Sequence, residues 1–179
     1  GWRGIRVTLD HPEIFLVQIR AMLKASHELN NLQIMLPMIS HFSELEGALG
    51  LISRAFDEVV SEGYRIEYPK VGVMIEVPAS VFQAQEYAKR VDFLSVGSND
   101  LTQYLLAVDR NNPNVSSLYD SFHPSVLRAC YEIVKAAHAE GKPVSICGEM
   151  AGNPLSAVLL MAMGFDMLSM NSIRLLRVK

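Results

Sequence analysis

The chain has 179 residues, half of them hydrophobic and 20% charged, and a formal charge of -3 at pH 7. This is enough for one domain with a sizeable core, on a prior of roughly 100–200 residues per domain. The acidic balance argues against a nucleic-acid surface, which needs clustered Lys and Arg. No apolar run approaches the roughly 20 residues of a bilayer span, and no basic stretch precedes an apolar one at the N-terminus, so the cytoplasm is the expected location.

In chain order, short apolar runs of strand length alternate with amphipathic helical stretches. Residues 5–9 predict a first strand, and residues 12–29 a helix whose start is signalled by Asp10 ahead of Pro12. A strand over 32–39 and a helix over 43–62 follow, the helix with a Ser43/Glu46 capping box and Gly63 at its end. Strands over 71–76 and 93–96 flank a helix over 79–91, and a helix over 101–109 comes next. The last predicted units are helix 124–140, strand 144–147, helix 154–163 and strand 167–170, with Gly141 and Gly164 as stops. Strands apolar on both faces and alternating with helices imply an α/β protein with a covered parallel sheet.

Six such units fit either a doubly wound sheet or most of a (β/α)8 TIM barrel. Arg3, Glu76, Asn99 with Asp100, and Cys147 fall at or near predicted strand ends. A barrel gathers those ends at one mouth, whereas an open sheet spreads some of them apart, so the barrel is favoured.

Several of these residues carry chemistry. Glu76 closes an apolar strand before Pro78, where a carboxylate is costly without a cation or donor. Asp100 closes another, and two carboxylates with open positions suit a hard divalent ion such as magnesium, which keeps waters and takes substrate oxygens. Helix capping by Ser98, Asn99 or Asp100 and pairing of Glu76 with a Lys or Arg are the plainer alternatives. Arg110, at the predicted end of the 101–109 helix, is either a favourable C-terminal charge or a fork for phosphate and carboxylate oxygens. Arg3 is either a solvated terminal charge or an anion ligand.

The two cysteines, Cys130 and Cys147, are too few for a disulfide framework and read as reduced thiols. Cys130, in mid-helix, reads as an inert hydrophobe. The histidines His11, His27, His41, His123 and His138 have no metal-site spacing, and Met161, Met163, Met167 and Met170 read as core filler. Gly97 lacks the glycine series and Lys-Ser/Thr pair of a phosphate loop.

Three separated motifs carry a resemblance: DFLSVGSNDLTQYLLAVDRN at 92–111, VGVMIEVPAS at 71–80 and SICGEMAG at 145–152. Together with GWRGIR at the start, they closely resemble enzymes that use phosphoenolpyruvate. AVDRN is most similar to the Enzyme I family of the phosphoenolpyruvate-dependent phosphotransferase system, and within it to the nitrogen-regulatory branch. The resemblance implies a barrel in which Glu76 and Asp100 hold Mg2+, Arg3, Asn99, Asp100 and Arg110 bind phosphoenolpyruvate, and Cys147 protonates the enolpyruvate carbon. Glu149 would orient that thiol or raise its pKa. The resemblance further implies pyruvate as product, a phosphorylated histidine on a mobile upstream domain, an HPr-type phosphocarrier or its nitrogen-branch counterpart, and a homodimer. On that basis residues 1–179 are expected to be a partial barrel domain, without the upstream domain or the first barrel strands. Pyruvate phosphate dikinase and phosphoenolpyruvate synthase share the motifs, and a non-catalytic phosphoenolpyruvate-sensing dimerisation module is an alternative of a different class. Magnesium aldolases acting on pyruvate enolates also pair Glu with Asp, but give Cys147 and Arg110 no role.

Overall fold

The structure is a computed structural model that describes residues 1–179. A five-stranded parallel sheet is built from β1 (Gln33–Leu36), β2 (Lys70–Ile75), β3 (Phe93–Gly97), β4 (Val144–Cys147) and β5 (Met167–Leu168). The strands lie side by side in sequence order, each pair in parallel register. A doubly wound sheet reverses direction at a switch point; unbroken sequential order is the winding of a (β/α)8 barrel.

The helices are α1 (Ile5–Asp10), α2 (Pro12–Ala25), α3 (Phe42–Ser61), α4 (Pro78–Val81), α5 (Ala84–Arg90), α6 (Ser98–Leu105), α7 (Pro124–Ala139), α8 (Pro154–Met163) and α9 (Ser172–Val178). Strand alternation divides the sheet into two faces. Val71, Val73, Ile75, Leu94, Val96, Val144 and Ile146 are all buried in the main core, which they share with α3, α5 and α7. The opposite, concave face carries Met35, Phe93, Ser95, Ser145, Cys147 and Met167 around a cavity of about 730 Å³.

Register turns that concave face into rows. Phe93 pairs with Gly72, where a Cβ would lie 2.3 Å from the Phe93 ring, so the aromatic lies across a strand with no side chain there. Ser95 pairs with Ser145, and their hydroxyls hydrogen-bond at 2.9 Å. The last row, at the C-terminal ends, joins Gly97 to Cys147, with Glu76 one residue beyond the Ile75–Val96 pair.

The structure corrects several expectations. Residues 5–9 form helix α1 rather than a strand, so the sheet has five strands. Ile5 is buried in the core, Leu9 packs against it beside Gly47 of α3, and the Thr8 hydroxyl donates to the Gly4 carbonyl at 3.2 Å; tertiary burial on an i, i+4 face overrides β-branched strand preference. Arg3 therefore precedes a helix and does not sit at a strand end. The capping carboxylate of α3 is Glu44, which accepts from the His41 and Ser40 backbone N–H groups at 2.8 and 2.7 Å, while Glu46 pairs with Arg90 instead. Asp10 caps nothing; it ends α1 and accepts from the Trp2 indole at 2.6 Å. Helix α6 stops at Leu105, so Arg110 lies in the following loop. Met161 and Met167 are 57% and 61% exposed and do not fill the core.

Candidate active site

Glu76, Asn99, Asp100 and Cys147 lie at the C-terminal ends of the strands, Arg3 reaches them from the stretch before α1, and Arg110 lies on the loop after α6. Glu76 follows β2 directly and is buried, at 5% exposure. Its Oε1 accepts the Met38 backbone N–H at 2.8 Å. Met38 holds that donor in place with a left-handed φ of 61°, unusual for a side chain of its size. Burial raises the Glu76 pKa; the Met38 donor and Arg3 counteract this, and the adjoining Asp100 carboxylate reinforces it. Gly97 provides the space for this carboxylate, since a Cβ there would lie 2.8 Å from Glu76 Oε2.

Asp100 sits in the first turn of α6, which begins with no residue intervening after β3. A carboxylate there is favoured by the helix N-terminus. Asp100 Oδ2 pairs with Arg3 Nη2 at 2.8 Å, and the same nitrogen donates to the Tyr104 hydroxyl at 2.6 Å. Tyr104, one helical turn after Asp100, presents to the same side. Its role escaped the sequence reading, although the i, i+4 spacing from Asp100 was available as a signal. The Met38 donor had no sequence signal, because any non-proline residue supplies an N–H.

Asn99 points its Oδ1 at the Glu149 backbone N–H, 3.1 Å away, which leaves its amide nitrogen as the group that can donate to a ligand. The Arg110 backbone N–H donates to Gln103 Oε1 at 3.2 Å, and Val108 beside it is buried, so the loop is moored to α6. The Tyr119 hydroxyl donates to the Asn99 carbonyl at 3.4 Å, a second tie between that loop and the site. The structure thus brings Arg3, Glu76, Asp100 and Cys147 close together, and holds Arg110 on a loop tethered at their edge.

Cys147 ends β4. Its thiol donates to the Val96 carbonyl at 3.5 Å, and the Ser98 hydroxyl donates to the Cys147 carbonyl at 2.6 Å. Burial pushes its pKa up, with further contributions from Glu76 and then Asp100. Glu149 is exposed and is not among the causes of that shift, which corrects the pKa-raising one of its two expected roles. A thiol so placed stays protonated at neutral pH and is available as a proton donor. Cys130, fully buried in α7, is pushed to about 12. A cavity of about 610 Å³ opens beside Cys147 and Asn99, bounded by Gly148, Asn153, Asn171 and Arg174.

No third His, Cys, Asp or Glu joins Glu76 and Asp100. Two carboxylates fit a magnesium ion that keeps waters and binds substrate oxygens, and do not make an all-protein cage.

Fold and mouth together define a parallel α/β barrel whose polar groups gather at the strand C-termini, as in barrel enzymes. The chain belongs to the family described as PEP-utilising enzyme, PEP-binding domain, whose model matches residues 1–179. It is 52% identical over its whole length to a protein of Escherichia coli named phosphoenolpyruvate-dependent phosphotransferase system, covering 24% of that protein. It is 42% identical to phosphoenolpyruvate-protein phosphotransferase of Latilactobacillus sakei, covering 31% of it. The chain thus spans about a quarter to a third of these relatives. Among solved structures, a citrate lyase from Burkholderia xenovorans aligns with TM-score 0.67 at 22% identity, over 91% of this chain and 52% of that one. Malate synthase of Haloferax volcanii aligns with TM-score 0.65 at 14% identity, over 94% of this chain and 51% of that one. At these identities the likeness shows the fold alone.

Proposed function

We propose that this chain is the phosphoenolpyruvate-binding part of a phosphoenolpyruvate-protein phosphotransferase. The observation that carries the reading is the row Glu76, Gly97, Cys147, with Asp100 against Glu76: two carboxylates beside a protonated thiol. Glu76 and Asp100 would hold Mg2+, which supplies charge neutralisation for phosphate and enolate oxygens when bound. Arg3, Arg110 and the Asn99 amide would bind the anionic oxygens of phosphoenolpyruvate, with bidentate contacts open to the arginines.

The phosphoryl group would pass to a histidine on another domain of the longer protein, and from there to an HPr-type phosphocarrier or its nitrogen-branch counterpart. The P–O bond breaks with its electrons on the enolate oxygen, leaving pyruvate enolate. The Cys147 thiol then gives its proton to the methylene carbon, and the thiolate is reprotonated from solvent. The nitrogen-regulatory branch is proposed over sugar transport on the AVDRN motif at 107–111. The exposed apolar residues Leu155, Val158 and Met161 of α8, with Ile173 and Leu176 of α9, support a homodimer. No helix is long and apolar enough to cross a membrane, in keeping with the cytoplasm as the proposed location.

The test is phosphoryl transfer from labelled phosphoenolpyruvate by full-length protein carrying Glu76→Gln or Asp100→Asn. Both variants should lose transfer while keeping wild-type circular dichroism. Undiminished transfer in either would sink the metal assignment.

A further inference from the structure

Arg3 occupies an odd position for a residue proposed to bind substrate. Its Nη2 lies 2.8 Å from Asp100 Oδ2 and 2.6 Å from the Tyr104 hydroxyl, with its guanidinium carbon 6.0 Å from the Tyr104 ring centroid. The guanidinium therefore already sits on a carboxylate that a divalent ion would need. The neighbouring Glu76 has one oxygen committed to the Met38 N–H, and its carboxylate lies against that of Asp100. Two cations cannot both lean on Asp100 without repelling one another.

The pair is also built to let go. Arg3 is 50% exposed and Asp100 23%, so water screens their attraction and can replace either partner. Arg3 lies in the stretch before α1, outside any helix or strand, and the adjoining Gly4 has φ 58°. Nothing but Tyr104 and Asp100 accepts a hydrogen bond from its guanidinium.

We infer that Arg3 is a displaceable counter-ion: Tyr104 holds it on Asp100 while no divalent ion is bound, and an ion arriving on Asp100 turns it toward the anionic oxygens of the substrate. The inference rests on the reading of Glu76 and Asp100 as metal ligands. Tyr104 is then a positioning residue that sets how strongly Arg3 competes. The arrangement keeps adjacent carboxylates from facing each other unneutralised, and it couples the release of one cation to the recognition of an anion. Metal and substrate then bind in a favoured order, the metal first.

The sign of one measurement separates this from a structural role. Damage to a site loosens every ligand, whereas removing a competing charge tightens the metal. Mn2+ binding is titrated by electron paramagnetic resonance on the full-length protein without substrate, in wild type, Arg3→Met and Tyr104→Phe, with folding checked by circular dichroism. Arg3→Met should bind Mn2+ about five-fold tighter, the scale of a half-exposed ion pair. Tyr104→Phe, which loosens Arg3 and keeps the ring, should bind it about two-fold tighter. At saturating Mn2+, phosphoenolpyruvate should bind Arg3→Met about ten-fold more weakly. Unchanged or weaker Mn2+ binding in both variants overturns the counter-ion role. Glu76→Gln and Asp100→Asn are titrated in parallel. If these lose Mn2+ while Arg3→Met and Tyr104→Phe show no tightening, the metal site stands and only the counter-ion falls; if they bind Mn2+ normally, both readings fall.

Discussion

The charges on the outer helices and those at the barrel mouth are arranged on opposite principles. Between α2 and α3, Arg20 bonds both Glu58 and Glu62, Lys24 joins Glu62, and Arg54 joins Glu58 at 2.9 Å. Hydrogen bonds from these cations hold the Glu58 and Glu62 pKa values below the usual carboxylate range. At the mouth, Glu76 is buried with one backbone donor, sits against a second carboxylate, and has its pKa raised. The outer network is satisfied in the folded chain by itself, and the mouth is not. The fold tolerates that imbalance where a ligand can relieve it, which is how a stability cost becomes binding free energy.

The largest expected difference between core and mouth lies in the two cysteines. Cys147→Ala should cut pyruvate formation by about 100- to 10,000-fold while labelled phosphorus still reaches the protein, because general acid catalysis is lost and phosphoryl transfer is not. Cys130→Ala, in the α7 core, should leave both signals near wild type. Single-turnover kinetics following carbon and phosphorus separately decide it. Equal loss of both signals in Cys147→Ala would make the thiol a positioning group.

Glycines give the next largest contrast. Gly97→Ala places a methyl 2.8 Å from Glu76 Oε2 and 2.9 Å from its Cβ, and should cost about 1–3 kcal/mol of stability and most of the Mg2+ affinity. Gly50→Ala, exposed in α3 with nothing within 4 Å of the new methyl, should stabilise by about 0.5–1 kcal/mol. Urea denaturation of the two variants measures both. A neutral Gly97→Ala would show that the Glu76 carboxylate has room to move.

The smallest contrast is one of sign with pH. A raised carboxyl pKa, as at Glu76, contributes stability that is fully present below the unfolded value and is lost as pH rises through the raised folded value. Glu76→Gln keeps the neutral form at all pH, so it should be more stable than wild type at neutral pH by about 1 kcal/mol, with the gain vanishing in acid. Glu58 and Glu62 behave oppositely: their stabilisation is present above the unfolded value and lost as pH falls through the depressed folded value. Arg20→Met should therefore destabilise slightly at neutral pH and not at all in strong acid. Thermal melts of both variants between pH 3 and 8 test the crossing; melts that shift in the same direction would remove the contrast.

Much of this was legible before any coordinates. The runs at 33–36, 70–75, 93–97, 144–147 and 167–168 are strands because apolar length and flanking helix signals agree there. Residues 5–9 misled because β-branched composition and burial on α3 pointed different ways, and burial won. Helix α9 passed unnoticed: its seven residues are too few for a period to show, and its start rests on the Asn171 side chain accepting from the Arg174 N–H. At the site, the carboxylates and Cys147 stood out by residue type. The Met38 donor and the Tyr104–Arg3 contact depend on backbone placement and on which long side chains meet, and neither is written in spacing alone.

The sequential order of the strands has a consequence for how the mouth is assembled. Each strand pairs with the one made just before it, so a chain emerging from its N-terminal end can add unit after unit without waiting for a distant partner. Glu76 and Asp100 can meet once β3 has docked on β2, but Cys147 joins their row only when β4, beyond the long 106–123 loop and α7, pairs with β3. During that interval the growing chain carries its acidic pair without its proton donor, and Arg3, made before either carboxylate, is already present to neutralise it.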